Sequence, residues 1–378
     1  MRKPTLLLLL INTFFGFSQV KTIDFESFKL GGKRTVQLYV PEDYSEEKMY
    51  PLMVVFEAEK LFDITVANTK FYSSHGDMPQ AIIVGIHQGG TLNEDCAYGE
   101  NSLPEDKSAA FFEFVAMELV PSLAKQYKLA NFKAAIGHGA SANFINYFLL
   151  KEKPLFNAYL SFSPELAPKM PTFVTDRFAT LQTMNFYYLA NAENAPKDTK
   201  ETVKALNTGI KGLANEKLHY HFDDFAGAGS YSVSAYALPK ALDQIFNVYK
   251  PISKEEYKSK VLTFEKPVIE YLTEKYTTIE QLFGFKKQVS LNDIMAIYAA
   301  TKKKEDLPSL LALSEVGKNE YPETMLGFFL EAEYYEQLGE PKKAMRTYEK
   351  AFGMTEIDFI TKDLALERID KIKQDFGW

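Results

Sequence analysis

The sequence predicts an α/β domain, a mostly parallel sheet covered by helices, followed by an all-helical C-terminal region. Two observations point there. Between Lys21 and about Tyr249, short continuous apolar runs alternate with amphipathic stretches, the pattern of strands buried on both faces and joined by helices. After Pro251 the short apolar runs fade and long helical periods take over.

Thr22 to Phe28 and Arg34 to Tyr39 read as strands joined by a hairpin at Gly31-Gly32, because paired glycines supply the positive φ that tight turns need. The buried strands are expected at Leu52 to Phe56, Ala81 to Ile86, Lys133 to Ile136, Tyr159 to Phe162 and Phe186 to Leu189, with a last strand at Leu218 to Phe222. Helical periods fall at Ala109 to Tyr127, Ala142 to Leu150, Thr202 to Ala214 and Leu238 to Tyr249. In the tail, Phe328 to Leu338, a Gly339–Pro341 break and Lys342 to Phe352 form a helix pair with small Ala332, Ala344 and Ala351 and aromatic Tyr348 where a tetratricopeptide unit carries them. A looser pair precedes it, Leu291 to Thr301 and Leu307 to Val316 around a charged Lys302 to Glu305 turn. Two such units fall short of the roughly three that a free-standing solenoid needs, so the tail is expected to lean on the sheet domain. Its helical stripe reads first as core and second as a peptide groove.

The 378 residues suggest two domains, placed at 19–250 and 255–378. With 46% hydrophobic and 25% charged residues the chain is ordinary globular material. A net charge of −7 without a basic block excludes an electrostatic footprint for nucleic acid. A single cysteine, Cys96, excludes an intrachain disulfide and thiolate zinc sites. Residues 1–18 read as a cleaved export signal: Arg2 and Lys3, an apolar stretch from Leu6 to Phe17, and small Gly16 and Ser18 before Gln19. The run is shorter than the roughly 20 residues a span requires, no cysteine follows for a lipid anchor, and no later segment could cross a bilayer. The mature protein is expected to be exported, periplasmic or secreted.

The chemistry centres on Gly137-His138-Gly139-Ala140-Ser141, a glycine-rich turn from a strand into a helix, the setting of the G-x-S-x-G nucleophile elbow. Together with Phe144 to Leu150, Pro154-Leu-Phe156, Ser161-Phe-Ser163-Pro164, Met78-Pro79 and Glu118 to Pro121, this turn resembles the bacterial esterases related to ferric-enterobactin esterase and S-formylglutathione hydrolase. The resemblance covers roughly residues 22 to 250. It implies an α/β-hydrolase fold and no cofactor or metal, and a helical repeat-bearing tail also occurs in such proteins.

The same resemblance implies a disabled site. Its G-H-S-x-G-G stretch places the nucleophile on Gly139, and its catalytic histidine falls on Ser230 within Phe225 to Val233. The acid falls near Glu193. The oxyanion turn reads Glu57-Ala58, with the N–H of Ala140 as the second donor, and the arginine that precedes Asp95 falls on Leu92. A triad needs an attacking oxygen, an imidazole and an orienting carboxylate, and two of the three are missing at their places.

Three rescues suggest themselves from the residues. Ser141 could act as a nucleophile displaced by two positions, although the chain there is already helical. His138 could act as base, although family members carry a histidine there beside their serine. His219 and His221, one apart on a strand, could form a base or metal pair. His75 and His87 lie outside any motif. The expectation is a binding or scaffold module, its protein partner held by the tail or by a former pocket lined by Phe144, Tyr231 and Tyr236. The alternatives are an ester hydrolase using Ser141, and a protein that captures a small ester or siderophore-like molecule uncleaved.

Overall fold

The structure is a computed structural model and describes residues 20–377; the export-signal expectation lies outside the described residues. Eight strands form one sheet: β1 (Val20–Ser27), β2 (Gly32–Tyr39), β3 (Tyr50–Phe56), β4 (Ile82–Ile86), β5 (Leu129–His138), β6 (Ala158–Phe162), β7 (Asn185–Ala192) and β8 (Leu218–Phe225). Their order is β1-β2-β4-β3-β5-β6-β7-β8. The β1–β2 hairpin runs antiparallel to its neighbours and every other pairing is parallel. All eight predicted strands are present. They were legible because β3, β4 and β6 are buried at every residue, so their sequences are continuously apolar.

Helices cover both faces. On one side lie α1 (Ala58–Ser74) and, later in the chain, the helix Val233–Ile245; on the other lie α2 (Asp106–Glu113), α3 (Val120–Gln126), α4 (Ala140–Phe144), α5 (Met170–Thr180) and α6 (Lys197–Lys211). The helix Val233–Ile245 is α7. These helices depart from the sequence expectation in four places. The span expected from Ala109 to Tyr127 is α2 and α3 separated by a π-helical turn, Phe114–Leu119, because Pro121 cannot supply the N–H of an unbroken α-helical ladder. The expected Ala142 to Leu150 helix is two short pieces, α4 and Asn146–Leu149. Helices α1 and α5 are absent from the expected set: in α1, Thr65 and Thr69 share the buried face with Ala58, Leu61 and Phe62, which dilutes the apolar periodicity that would reveal it.

The tail comprises α8 (Val268–Phe283), α9 (Leu291–Lys304), α10 (Leu307–Glu320), α11 (Leu326–Gln337), α12 (Pro341–Phe352) and α13 (Lys362–Phe376). The α11–α12 pair meets through fully buried Ala332, Ala344, Ala351 and Tyr348. Helix α8 joins tail to sheet. Its Ile279, Leu282 and Phe283 sit in the core of the sheet domain, and Phe283 packs against Phe132 at 5.1 Å and Phe246 at 5.7 Å between ring centroids. Aromatic pairs of this kind add about 0.5–1.5 kcal/mol each beyond area burial. No helix among the described residues is long and apolar enough to cross a membrane.

Just beyond α8, Lys287 donates to the Tyr249 carbonyl and lies 3.8 Å from the centre of the Tyr249 ring. Burial, only partly countered by Asp293, lowers its pKa to about 8. The unfolded chain, with an ordinary lysine, therefore binds more protons between about pH 8 and 10.5, and stability should rise with pH across that window. Urea unfolding of the wild type and Lys287→Met as a function of pH checks this; the upward contribution should vanish in the variant.

Candidate functional site

Strand β5 ends at Gly137-His138, and the chain turns through Gly139 into α4. Gly139 has φ 54° and ψ −119°, a conformation that costs a side-chain-bearing residue on the order of 1–3 kcal/mol. Gly137 is required by proximity. A Cβ there would lie 2.7 Å from the backbone of Ser141 and Ala142, so α4 could not seat against the strand. A Cβ on Gly139 would face the Glu165 carboxylate at 3.3 Å.

Ser141 is completely buried. Its Oγ accepts from the His138 N–H at 2.9 Å and lies 2.8 Å from Glu57 Oε1 and 2.9 Å from the His138 carbonyl. One hydroxyl proton serves one of these acceptors, and the carboxylate is the stronger. None of these partners is an imidazole nitrogen. Glu57 itself, 1% exposed, caps strand β3 in a left-handed conformation at φ 51°. Its second oxygen pairs with Lys60 Nζ at 2.5 Å. Desolvation pulls the Lys60 pKa down, but the Glu57 pair outweighs it and the net shift is upward, so Lys60 stays cationic.

The Glu57 N–H donates to Gln88 Oε1 at 3.2 Å. Gln88 Nε2 donates to Asp95, and Asp95 is gripped bidentately by Arg34 at 2.7 and 3.0 Å and by Thr91 at 2.7 Å. The cation that holds Asp95 thus comes from β2, whereas the position expected from the resemblance is Leu92. Ala58 opens α1 with its side chain buried against the sheet. Ala140 begins α4, and its side chain packs at the edge of the core.

The loop after β8 covers His138. His138 Nε2 donates to the Ser230 carbonyl at 2.5 Å, the Tyr231 ring lies 5.5 Å from the imidazole, and Lys60 approaches that ring at 5.2 Å. Glu193 lies just after β7 and accepts from the Gly227 N–H at 2.5 Å, so it braces the loop. The expected aromatic recess is not built as foreseen: Phe144 is wholly buried among Phe56, Phe111 and Phe148, while Tyr231 and Tyr236 are 71% and 58% exposed.

The remaining candidates lie apart. His219 and His221 share one face of β8, stacked on Phe186 and Tyr188, and among the described residues no group of three or more His, Cys, Asp or Glu could hold a metal. The His75 ring packs against Phe71, centroids 4.6 Å apart and tilted by 38°, and His87 lies 3.7 Å from Glu59. Cys96 is buried, and burial pushes its thiol well above the usual range, which makes it inert. Glu57, Lys60, Gln88 and Arg34 were not anticipated as a network. The only signal was an acidic residue directly following the apolar run Leu52 to Phe56.

The sheet order and the strand–turn–helix at Gly139 define an α/β-hydrolase fold. The chain belongs to the Putative esterase family, whose profile matches residues 27–233. It is similar to a structure of an uncharacterised protein from Capnocytophaga ochracea, with 36% identity over 94% of this chain and 100% of that one and a TM-score of 0.85. An IroE-like serine hydrolase from Shewanella oneidensis is 20% identical, over 79% of this chain and 99% of its own, with a TM-score of 0.59. The BES protein from Bacillus cereus is 17% identical over 65% and 98%, with a TM-score of 0.54. Among curated proteins none matches the chain.

Proposed function

We propose that this chain is an exported member of the esterase family that has lost ester hydrolysis and serves as a binding or scaffold module. One observation carries the proposal: the residue on the strained turn is glycine, and the hydroxyl two residues on, that of Ser141, is buried and bonded to a carboxylate. Supporting it, Ser230 offers His138 a backbone carbonyl rather than an imidazole, and the Glu57 N–H is already committed to Gln88. Loss of a triad nucleophile costs about 10⁶ in turnover in a well-studied protease. From a typical rate of about 10 per second this leaves on the order of 10⁻⁵ per second. Export rests on residues 1–18, and a protein partner would engage the tail or the loop over His138.

A second reading, an ester hydrolase using Ser141, draws on the 2.8 Å approach of Glu57 to its hydroxyl, since a carboxylate can accept a serine proton. Assays on short p-nitrophenyl esters and thioesters separate the two. The expected result is turnover at the uncatalysed rate. Turnover well above it that disappears in Ser141→Ala would overturn the proposal.

A further inference from the structure

Far from the Gly139 turn, a cavity of about 440 Å³ opens where the sheet edge meets the tail, within the size range of small-molecule sites. On the sheet side the exposed His219 and half-buried His221 rings face it, each backed by a buried ring of β7. Phe186 and His219 stack at 4.8 Å with planes 17° apart, and Tyr188 and His221 stack at 5.6 Å and 15°, because these residues are register partners on β7 and β8. The opposite walls come from α8 and from the segment that leads into it, so the tail completes the cavity.

Its charges are unequally satisfied. Buried Lys275 pairs with Glu256 at 3.3 Å, and Glu256 also accepts from the Tyr271 hydroxyl. Glu274 pairs with Lys266 at 3.0 Å. Lys260, on the same wall, is exposed, and its ammonium has neither an ion-pair nor a hydrogen-bond partner among the described residues. The cavity therefore presents aromatic surface together with one uncompensated cation. We propose that it binds a small aromatic carboxylate, the ring packed against the His219 and His221 imidazoles and the carboxylate paired with Lys260. Desolvation and then Lys260 lower the pKa of His219, which keeps its imidazole neutral and suited to stacking. His221 is tied to Asp223 at 3.3 Å. The site stands whether or not the Gly139 turn is silent.

Calorimetric titration of the full mature chain with 1-naphthoate tests the site. Saturable binding is expected, weakened about tenfold in Lys260→Gln, as loss of a charge-assisted contact predicts, and about tenfold weaker for the neutral 1-naphthalenemethanol. Because Lys260 is exposed, the variant should fold as the wild type does, checked by circular dichroism. Thr278→Trp, which fills the cavity from α8, should abolish binding. No saturable binding of naphthoate, or equal affinity in wild type and Lys260→Gln, or unaltered binding in Thr278→Trp, would overturn the proposal.

Discussion

Ser141→Ala is expected to lower stability by about 1–3 kcal/mol while leaving ester turnover at the uncatalysed rate. The hydroxyl supplies Glu57 Oε1 with a donor at 2.8 Å and accepts the His138 N–H at 2.9 Å, and Glu57 is almost wholly excluded from water. The substitution deletes two buried hydrogen bonds, each worth about 0.5–1.5 kcal/mol. Lys60 still holds the other carboxylate oxygen, which keeps the loss below that of an unpaired charge. Urea denaturation measures the change. A nucleophile would show the opposite pattern, with activity abolished by the substitution.

Arg34→Met should cost more, about 3–5 kcal/mol, since breaking a buried ion pair from one side leaves its partner uncompensated. Asp95 is 3% exposed, and Arg34 gives it two hydrogen bonds while also reaching the His87 carbonyl and Thr91. The effect extends to the turn at Glu57, because Asp95 orients Gln88 and Gln88 holds the Glu57 N–H. Chemical unfolding gives the magnitude. A cost below about 1 kcal/mol, the value of an exposed pair, would show that the guanidinium does not hold the network.

The sheet was legible because strands covered on both faces must be apolar throughout, and the turn was legible because close approach of α4 to β5 admits only glycine at position 137. What the sequence concealed was long-range. Ser141 meets Glu57 across 84 residues and Arg34 meets Asp95 across 61, and no local period encodes either pairing. Alignment to a family pattern placed a missing arginine at Leu92, but a cation can be supplied from any strand that passes the site, and here β2 supplies it. Phe144 looked like pocket lining because it follows the turn so closely. Its helix instead directs the ring into the aromatic cluster beneath the sheet, where it makes core.

If nothing on the Gly139 turn can attack an acyl carbon, a fluorophosphonate probe will find no target there, a test that needs no knowledge of a substrate. Incubated with the native protein and read by intact-mass and peptide mass spectrometry, the probe should leave the chain unmodified, since phosphonylation requires an activated, accessible hydroxyl. A stoichiometric adduct mapped to Ser141 would show the turn to be competent for attack.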